Sequence, residues 1–376
     1  MKFLMASSSP KRVALVHDWL TGMRGGEKVL EVLCELFPDA TLFTLLHNPG
    51  SVSSSIERMP IRTSFLQHLP FRRERYRNFL PLFPRAIESF DFRGYDLIVS
   101  TSHAVAKGAM RPSGALHICY CHTPMRYVWE LYDEYFGPGR ASWPTRALMK
   151  RLAPRLRAWD VRTTDRVDYF VANSENVARR IRTYYQRTAD VIHAPVDTSR
   201  FTGSGQAEDY YLIVSALVPY KRVDLAIDVF NKMNKRLLIV GKGPERRRLE
   251  SMAGPSIEFL GWQPDNALVS LYGRSRALIF PGVEDFGIVP LEAMACGKPV
   301  VAFAAGGALE TVIDGSTGVL FDRQDPAALE EAVRKVERTN FDTSAVRKHA
   351  LQFDRSRFKE IIGQYISKRM QERRIS

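Results

Sequence analysis

Short apolar, β-branched runs recur along the whole chain, separated by longer stretches of helical periodicity. The first half shows Val13–His17, Thr41–Leu46, Tyr95–Ser100, His117–Cys121, Tyr169–Ala172 and Val191–His193. The second half shows Tyr211–Ala216, Leu237–Val240, Ile257–Leu260, Ala277–Phe280, Pro299–Phe303 and Gly318–Phe321. Between them, Glu27–Phe37, Asn176–Tyr185, Val223–Met233 and Pro326–Arg338 space their apolar residues for one helix face. Strands that alternate with helices need crossover connections, which build βαβ units and parallel sheets. Such sheets are covered on both faces, so their strands read as continuous apolar runs. Each half carries enough strands for one doubly wound α/β sheet.

A chain of 376 residues suits two such domains. The join is expected between Thr198 and Asp209, where glycines and polar residues interrupt the periodicity. The active site of a two-domain protein of this kind is expected in the cleft between the halves, at the carboxyl ends of the strands. Arg355–Met370 reads as an amphipathic helix, with Phe358, Ile361, Ile362, Tyr365 and Ile366 on one face and a frayed ERRIS tail.

The formal net charge is +13, and it is unevenly spread. Residues 1–205 hold 29 Lys and Arg against 19 Asp and Glu, leaving +10 there and +3 beyond. A basic half points to an anionic partner, or else serves solubility alone. Two of its segments mix basic and apolar residues. Leu69–Phe83 sets Arg72, Arg73, Arg75 and Arg77 among Phe71, Tyr76, Phe79, Leu80 and Leu82. Trp143–Trp159 sets Arg146, Lys150, Arg151, Arg155 and Arg157 among Leu148, Met149, Leu152 and Leu156. Read as basic amphipathic helices, they suit an anionic membrane surface. Read otherwise, they are solvated helices whose apolar sides face the core. Nucleic acid is not expected, since no zinc finger, RNA-recognition signature or basic heptad region occurs. No apolar stretch is long enough to span a membrane, and Phe3–Ala6 is too short for a signal-peptide core. Four cysteines make no disulfide scaffold. The expectation is a cytoplasmic protein, peripheral on the inner face of the cell membrane.

The segment richest in chemistry is Phe280–Ala302, FPGVEDFGIVPLEAMACGKPVVA. A strand ends near Pro281, a loop follows with Gly282 and Gly287, and a helix runs to Cys296, with Gly297 just past its end. A strand, a glycine loop and a helix N-terminus offer free backbone N–H groups and a favourable dipole to an anion. The turn Phe286-Gly287-Ile288-Val289 forms that N-terminus. Glu284 lies beside it, suited either to accepting hydrogen bonds from sugar hydroxyls or to stabilising developing positive charge. Glu292, on the inner helix face, suits a ribose diol; from their spacing alone, the two glutamates read equally as solvated carboxylates.

This segment resembles the E-x7-E signature of the family-4 retaining glycosyltransferases of GT-B fold. The match runs through the glycines, Pro290, Leu291-Glu292-Ala293 and the Gly297-Lys298-Pro299-Val300 exit. Gly241-Lys242-Gly243-Pro244 resembles the family's G-x-G-P turn, and Phe259-Leu260-Gly261-Trp262 resembles the strand whose end lines the base pocket. Gly306-Gly307, Glu310, Asp314-Gly315 and Gly318 resemble the stretch that follows. Gly22-Met23-Arg24-Gly25-Gly26-Glu27 resembles the first glycine loop, which faces the donor sugar and phosphates. Ala194-Pro195-Val196-Asp197 resembles the end of the first domain. Gly25–Val29 and His122–Arg126 look most like bacterial mannosyltransferases of O-antigen and exopolysaccharide synthesis.

The resemblance implies two Rossmann-like, doubly wound domains facing a central cleft. Residues 1–203 would bind acceptor and residues 204–354 the nucleotide sugar, with residues 355–376 as a helix crossing back to the first domain. The implied donor-binding residues are Gly25, Gly26, Arg222, Gly241, Gly243, Trp262, Phe286, Gly287, Ile288, Val289 and Glu292. The implied catalytic residues are His122, Lys221 and Glu284. Ala216–Arg222 departs from the family pattern. Lys221 matches a cation that holds the leaving diphosphate, but Ala216 stands where an arginine is usual. Arg222 is either its replacement or a solvent-facing helix start.

His122 ends a strand and precedes Thr123-Pro124, where the family carries an active-site histidine that contacts donor sugar or acceptor hydroxyl. A zinc site on Cys119, Cys121 and His122 lacks a second ligand pair. No D-x-D motif occurs, so a metal-bridged diphosphate is not expected, nor any cofactor. The reading is metal-independent hexose transfer with retention, mannose from GDP-mannose, onto a glycolipid or polysaccharide acceptor. The alternative is a catalytically weak GT-B protein acting as a membrane-docked binding or scaffold module. A nicotinamide oxidoreductase fails, because Gly241-Lys242-Gly243 does not continue as G-x-G-x-x-G.

Overall fold

A computed structural model describes residues 12–203 and 208–375. The short apolar run near the N-terminus, Gly205 in the expected join and the last residue of the tail lie outside the described residues. The chain divides into two compact units, one of residues up to Ala194 plus those from Phe358 on, the other Pro195–Arg357.

Among its described residues the first unit contains seven parallel strands: β1 (Val13–His17), β2 (Thr41–Thr44), β3 (Ile61–Thr63), β4 (Leu97–Ser102), β5 (Leu116–Cys121), β6 (Tyr169–Ala172) and β7 (Ala189–Val191). Their order in the sheet is β3-β2-β1-β4-β5-β6-β7. The second unit contains β8 (Tyr211–Val214), β9 (Leu237–Val240), β10 (Ile257–Gly261), β11 (Leu278–Phe280), β12 (Val300–Phe303) and β13 (Gly318–Phe321). Their order is β10-β9-β8-β11-β12-β13. Both sheets run outward one way from their first strand and then restart on its other side. This creates a topological switch point, between β1 and β4 in one unit and between β8 and β11 in the other. Ligands of doubly wound sheets bind at such points, outside the carboxyl ends of the strands.

The central strands are buried throughout, which is why they appear as unbroken apolar runs. β3 was not expected: Ile61-Arg62-Thr63 is short, half-polar and at the sheet edge, so burial left little mark on its composition. β7 lies two residues earlier than the Val191–His193 run suggested. Residues 195–203 pack in the second unit rather than ending the first. There Val196 N–H donates to the Phe353 carbonyl at 2.9 Å, and Phe201 packs on Tyr272 with ring centroids 5.7 Å apart.

Leu69–Phe83 is not one amphipathic helix. It holds a four-residue helix (Arg72–Arg75) and a 3-10 segment (Tyr76–Leu82). Prolines at 70 and 81 and a left-handed Phe71 (φ 57°) break the run. Trp143–Arg162 is one helix, but Met149, Leu156 and Trp159 of its apolar side are buried in the first unit's core. What it leaves outside includes Trp143, 76% exposed, and Leu148. The C-terminal helix runs Arg355–Ile375, well into the tail expected to fray. Met370 is buried, and Arg373 reaches Asp168 at 3.2 Å, which hold the last turns down. Phe358, Ile362 and Ile366 are buried on that helix as expected, but Ile361 is exposed.

Candidate functional site

In the second unit, the loops after β8 and β11 meet at the switch point. The first passes through a 3-10 turn, Pro219–Lys221, before the helix Val223–Met233. The second carries Gly282, Glu284 and Gly287. The ammonium of Lys221, only 7% exposed, pairs with the Glu284 carboxylate. The pairing needs close backbone approach: a Cβ on Gly282 would fall 2.6 Å from Lys221 Cα and 2.8 Å from the Tyr220 carbonyl oxygen. The Glu284 carbonyl accepts the Gly307 N–H at 2.9 Å, which ties the loop to Gly306-Gly307. A cation and a carboxylate that lie far apart in sequence are thus brought together at the mouth of the sheet.

Gly287, at φ 89°, starts the helix Ile288–Ala295, and Gly297, at φ 72°, follows its end. The first-turn N–H groups at Ile288 and Val289 have no acceptor within the helix, so they suit an anion. Phe286 is buried and packs on Phe353, with centroids 5.9 Å apart. Glu292 is buried too, and its Oε2 accepts the Tyr272 hydroxyl at 2.9 Å. Burial first, then the Glu292 charge, pushes the Tyr272 phenol well above its ordinary range. Arg222 has the left-handed φ of 51°, and its guanidinium lies 3.4 Å from Asp224 Oδ1. Gly241 and Gly243 lie against the loop after β8. Trp262, 65% exposed, follows the edge strand β10, two strands away from β8 in the sheet. Ala216 is exposed.

In the first unit, three histidines gather at the β1–β4 switch point and the neighbouring end of β5. His17 ends β1 and is fully buried, with Nδ1 at 2.6 Å from Thr101 Oγ1 on β4 and Nε2 at 3.7 Å from Glu27 Oε1. Asp18 is fully buried and accepts the backbone N–H groups of His103, Ala104, Val105 and Ala106 at 2.7–3.0 Å. Its Oδ2 also lies 3.1 Å from His103 Nδ1. One carboxylate thus fixes the whole turn after β4. The His103 ring stands 6.1 Å from that of His17 and 6.3 Å from that of His122. Gly25 and Gly26 open the helix Gly25–Leu36 over this cluster; a Cβ on Gly26 would lie 3.4 Å from His122 Nε2. Both His17 Nε2 and His122 Nε2 are buried without a hydrogen-bond partner among the described residues.

Burial, together with the neighbouring histidines, holds the His122 imidazole well below its usual range. Burial lowers His103 as well, against the pull of Asp18. Burial works to raise the Glu27 carboxyl, but the adjoining His17 outweighs it and the group sits below the glutamate range. Neutral imidazoles beside an ionised carboxylate can donate to or accept from substrate hydroxyls. Of the residues gathered here, the sequence pattern singles out His122, Gly25 and Gly26 as candidates but not His17, Asp18, Thr101 or His103. The available signal was position: all four lie at or just past the carboxyl ends of β1 and β4. Cys119 and Cys121 pack inward with Phe170 and Ala172.

Fold and site define an α/β protein of the GT-B class. Over 95% of this chain and all of that one, the crystal structure of Anabaena HepE in complex with UDP superposes with a TM-score of 0.71 at 18% identity, a likeness of fold. Residues 24–200 match the Glycosyltransferase Family 4 model and residues 197–352 match Glycosyl transferases group 1. The chain belongs to the family-4 glycosyltransferases. An uncharacterized glycosyltransferase of Methanocaldococcus jannaschii is 30% identical over 175 residues, 45% of this chain and 50% of that protein. The GDP-mannose-dependent alpha-(1-6)-phosphatidylinositol monomannoside mannosyltransferase of Mycolicibacterium smegmatis is 34% identical over 186 residues, 41% of this chain and 49% of that protein. The chain spans about half the length of the curated relatives it matches.

Proposed function

We propose that this protein transfers a hexose from a nucleotide sugar with retention of configuration, using mannose from GDP-mannose. The observation that carries the reading is the pairing of buried Lys221 with half-buried Glu284 at the second unit's switch point, beside the N-terminus of the helix Ile288–Ala295. As the bond from the sugar's anomeric carbon to the diphosphate breaks, negative charge grows on the departing oxygen. Lys221 and the first-turn N–H groups oppose that charge. Glu284 holds Lys221 in place and presents a carboxylate to the sugar, where positive charge develops. Glu292 takes the ribose diol with its remaining capacity, while Tyr272 fixes its orientation. In the first unit, His122 meets a hydroxyl of donor sugar or acceptor, and Gly25-Gly26 lets substrate approach the backbone.

GDP-mannose is favoured by the mannosyltransferase-like Gly25–Val29 and His122–Arg126 segments and by the donor named for the mycobacterial relative. A UDP-sugar is the rival donor, since the similar Anabaena structure holds UDP. Thermal shifts with GDP, UDP and ADP separate them: the true nucleotide stabilises by about 2.7 kcal/mol at a hundredfold excess over Kd. Stabilisation by UDP or ADP, without GDP, refutes the mannose donor and leaves the transferase reading standing.

The acceptor in this reading is a lipid-linked sugar or polysaccharide, met at an anionic membrane surface. Among the described residues no helix is long and apolar enough to cross a membrane. Support for a peripheral contact comes from the +10 of residues 1–205 and from two protruding aromatics, Trp143 at 76% and Phe71 at 68% exposure, each near exposed arginines. Ala216, standing where a cation is expected, supports the second reading of a weakly catalytic docking module. Turnover of nucleotide sugar in the presence of lipid-linked acceptor decides between the two.

A further inference from the structure

Charge balance at the second unit's switch point picks out one more residue, on the reading that a nucleoside diphosphate is held there. A diphosphate carries more than one negative charge, and the two cations of the loop after β8 are already matched. Lys221 is paired with Glu284, and Arg222 with Asp224 at 3.4 Å. Two neutral pairs add little net positive potential for an incoming anion.

We propose that Lys242 supplies the missing positive charge and contacts the donor's diphosphate. The ladder between β8 and β9 continues past both strands. Ser215 N–H donates to the Val240 carbonyl at 3.0 Å, and Leu217 N–H donates to the Lys242 carbonyl at 3.0 Å. Lys242 therefore stands level with Ala216 and Leu217, in the loop adjoining the one that ends in Lys221. The glycines flanking it make this possible. A Cβ on Gly241 would fall 1.8 Å from the Ser215 carbonyl oxygen, and one on Gly243 would fall 2.1 Å from that of Leu217. Lys242 is exposed, and among the described residues no carboxylate lies within ion-pair distance of it. A charge lost at position 216 on one loop is thus replaced from the loop beside it. In this assignment Arg222 steadies the start of its helix through Asp224 instead of touching the donor.

The test compares affinity for a nucleoside diphosphate with affinity for its monophosphate, on the full chain. GDP, UDP and ADP are first screened on the unaltered protein, and the one that binds is titrated against GMP, UMP or AMP accordingly. Lys242→Ala is expected to weaken the diphosphate about tenfold or more while moving the monophosphate less than about twofold. Lys242→Arg should restore most of the loss, and Arg222→Ala should leave the ratio near its original value. A ratio unchanged in Lys242→Ala, or one lost in Arg222→Ala instead, overturns the assignment while sparing the donor reading. Failure of the unaltered protein to bind any nucleoside diphosphate overturns both.

Discussion

The hydroxyl of Tyr272 donates to Oε2 of Glu292 at 2.9 Å, and both side chains are buried. The pair joins the helix Asp265–Arg274 to the helix Ile288–Ala295 and aims a carboxylate that is free to rotate in an isolated helix. Glu292→Gln should raise the KM for donor about tenfold with a smaller change in kcat, the mark of lost binding shared by ground and transition states. Tyr272→Phe should cost about 1–2 kcal/mol of stability and raise KM less. An unchanged KM in Glu292→Gln would remove that residue from the donor site.

Lys221→Ala and Glu284→Ala should each lower kcat about a hundredfold or more in protein that remains folded. Single-turnover rates and circular dichroism on both variants check this. Near-normal turnover in Lys221→Ala would mean that a different cation meets the departing diphosphate.

Stability should fall on the acid side through two half-buried histidines, His103 and His122. Burial lowers the pKa of His103 and His122 from 6.5. A depressed group stabilises the fold above its unfolded pKa, and that stability is lost as pH falls through the folded value. The groups facing the pair, Asp18, Glu27, His17 and Arg126, modulate the loss without reversing it. Tm should therefore drop between pH 7.5 and pH 5.5, and the drop should be smaller in a His103→Gln, His122→Gln double variant. Parallel curves for the two proteins would show that the acid sensitivity lies elsewhere.

Lys107, 1% exposed, places its ammonium 3.0 Å from Asp160 Oδ1 and 2.7 Å from Thr163 Oγ1. Asp160 also accepts from Trp129 Nε1 and Tyr185 Oη, each at 2.9 Å. Lys107→Met leaves a buried carboxylate without its cation and should cost about 3–5 kcal/mol. Replacing both partners with apolar residues should cost much less, and urea denaturation of the two variants measures the difference.

Membrane contact should depend on charge. Vesicle co-sedimentation is expected to require anionic lipid, to weaken as salt rises, and to fall in a variant with Arg72, Arg73, Arg75 and Arg77 changed to Ser. Each basic side chain near such a surface contributes about 1 kcal/mol. Equal binding to neutral vesicles, or none to either, would leave the basic surface to another anion.

Local pattern revealed most of the strands, the two-sheet organisation and the segment from Phe280 to Ala302, because burial on both faces and helix capping act on neighbouring residues. Gly287 and Gly297 could be placed at the two ends of one helix for that reason. The edge strand β3 escaped, since little of it is buried. The basic segment Leu69–Phe83 has the spacing of a helix but does not form one, because Pro70, Pro81 and the left-handed Phe71 break the run.

The sequence by itself determined which residues can form strands and helices and where glycine must stand, and its resemblance to the family signature singled out Lys221, Glu284 and Glu292 as candidates. Only the tertiary structure decided partners: Lys221 with Glu284, His17 with Thr101, Asp18 with the turn after β4, and Lys242 level with Ala216. Each of those meetings crosses between neighbouring parallel strands that are separated in the chain by one or more helices and, for β1–β4 and β8–β11, by two other strands. Their spacing in the chain therefore bears no relation to their distance in space, and sheet order alone brings them together.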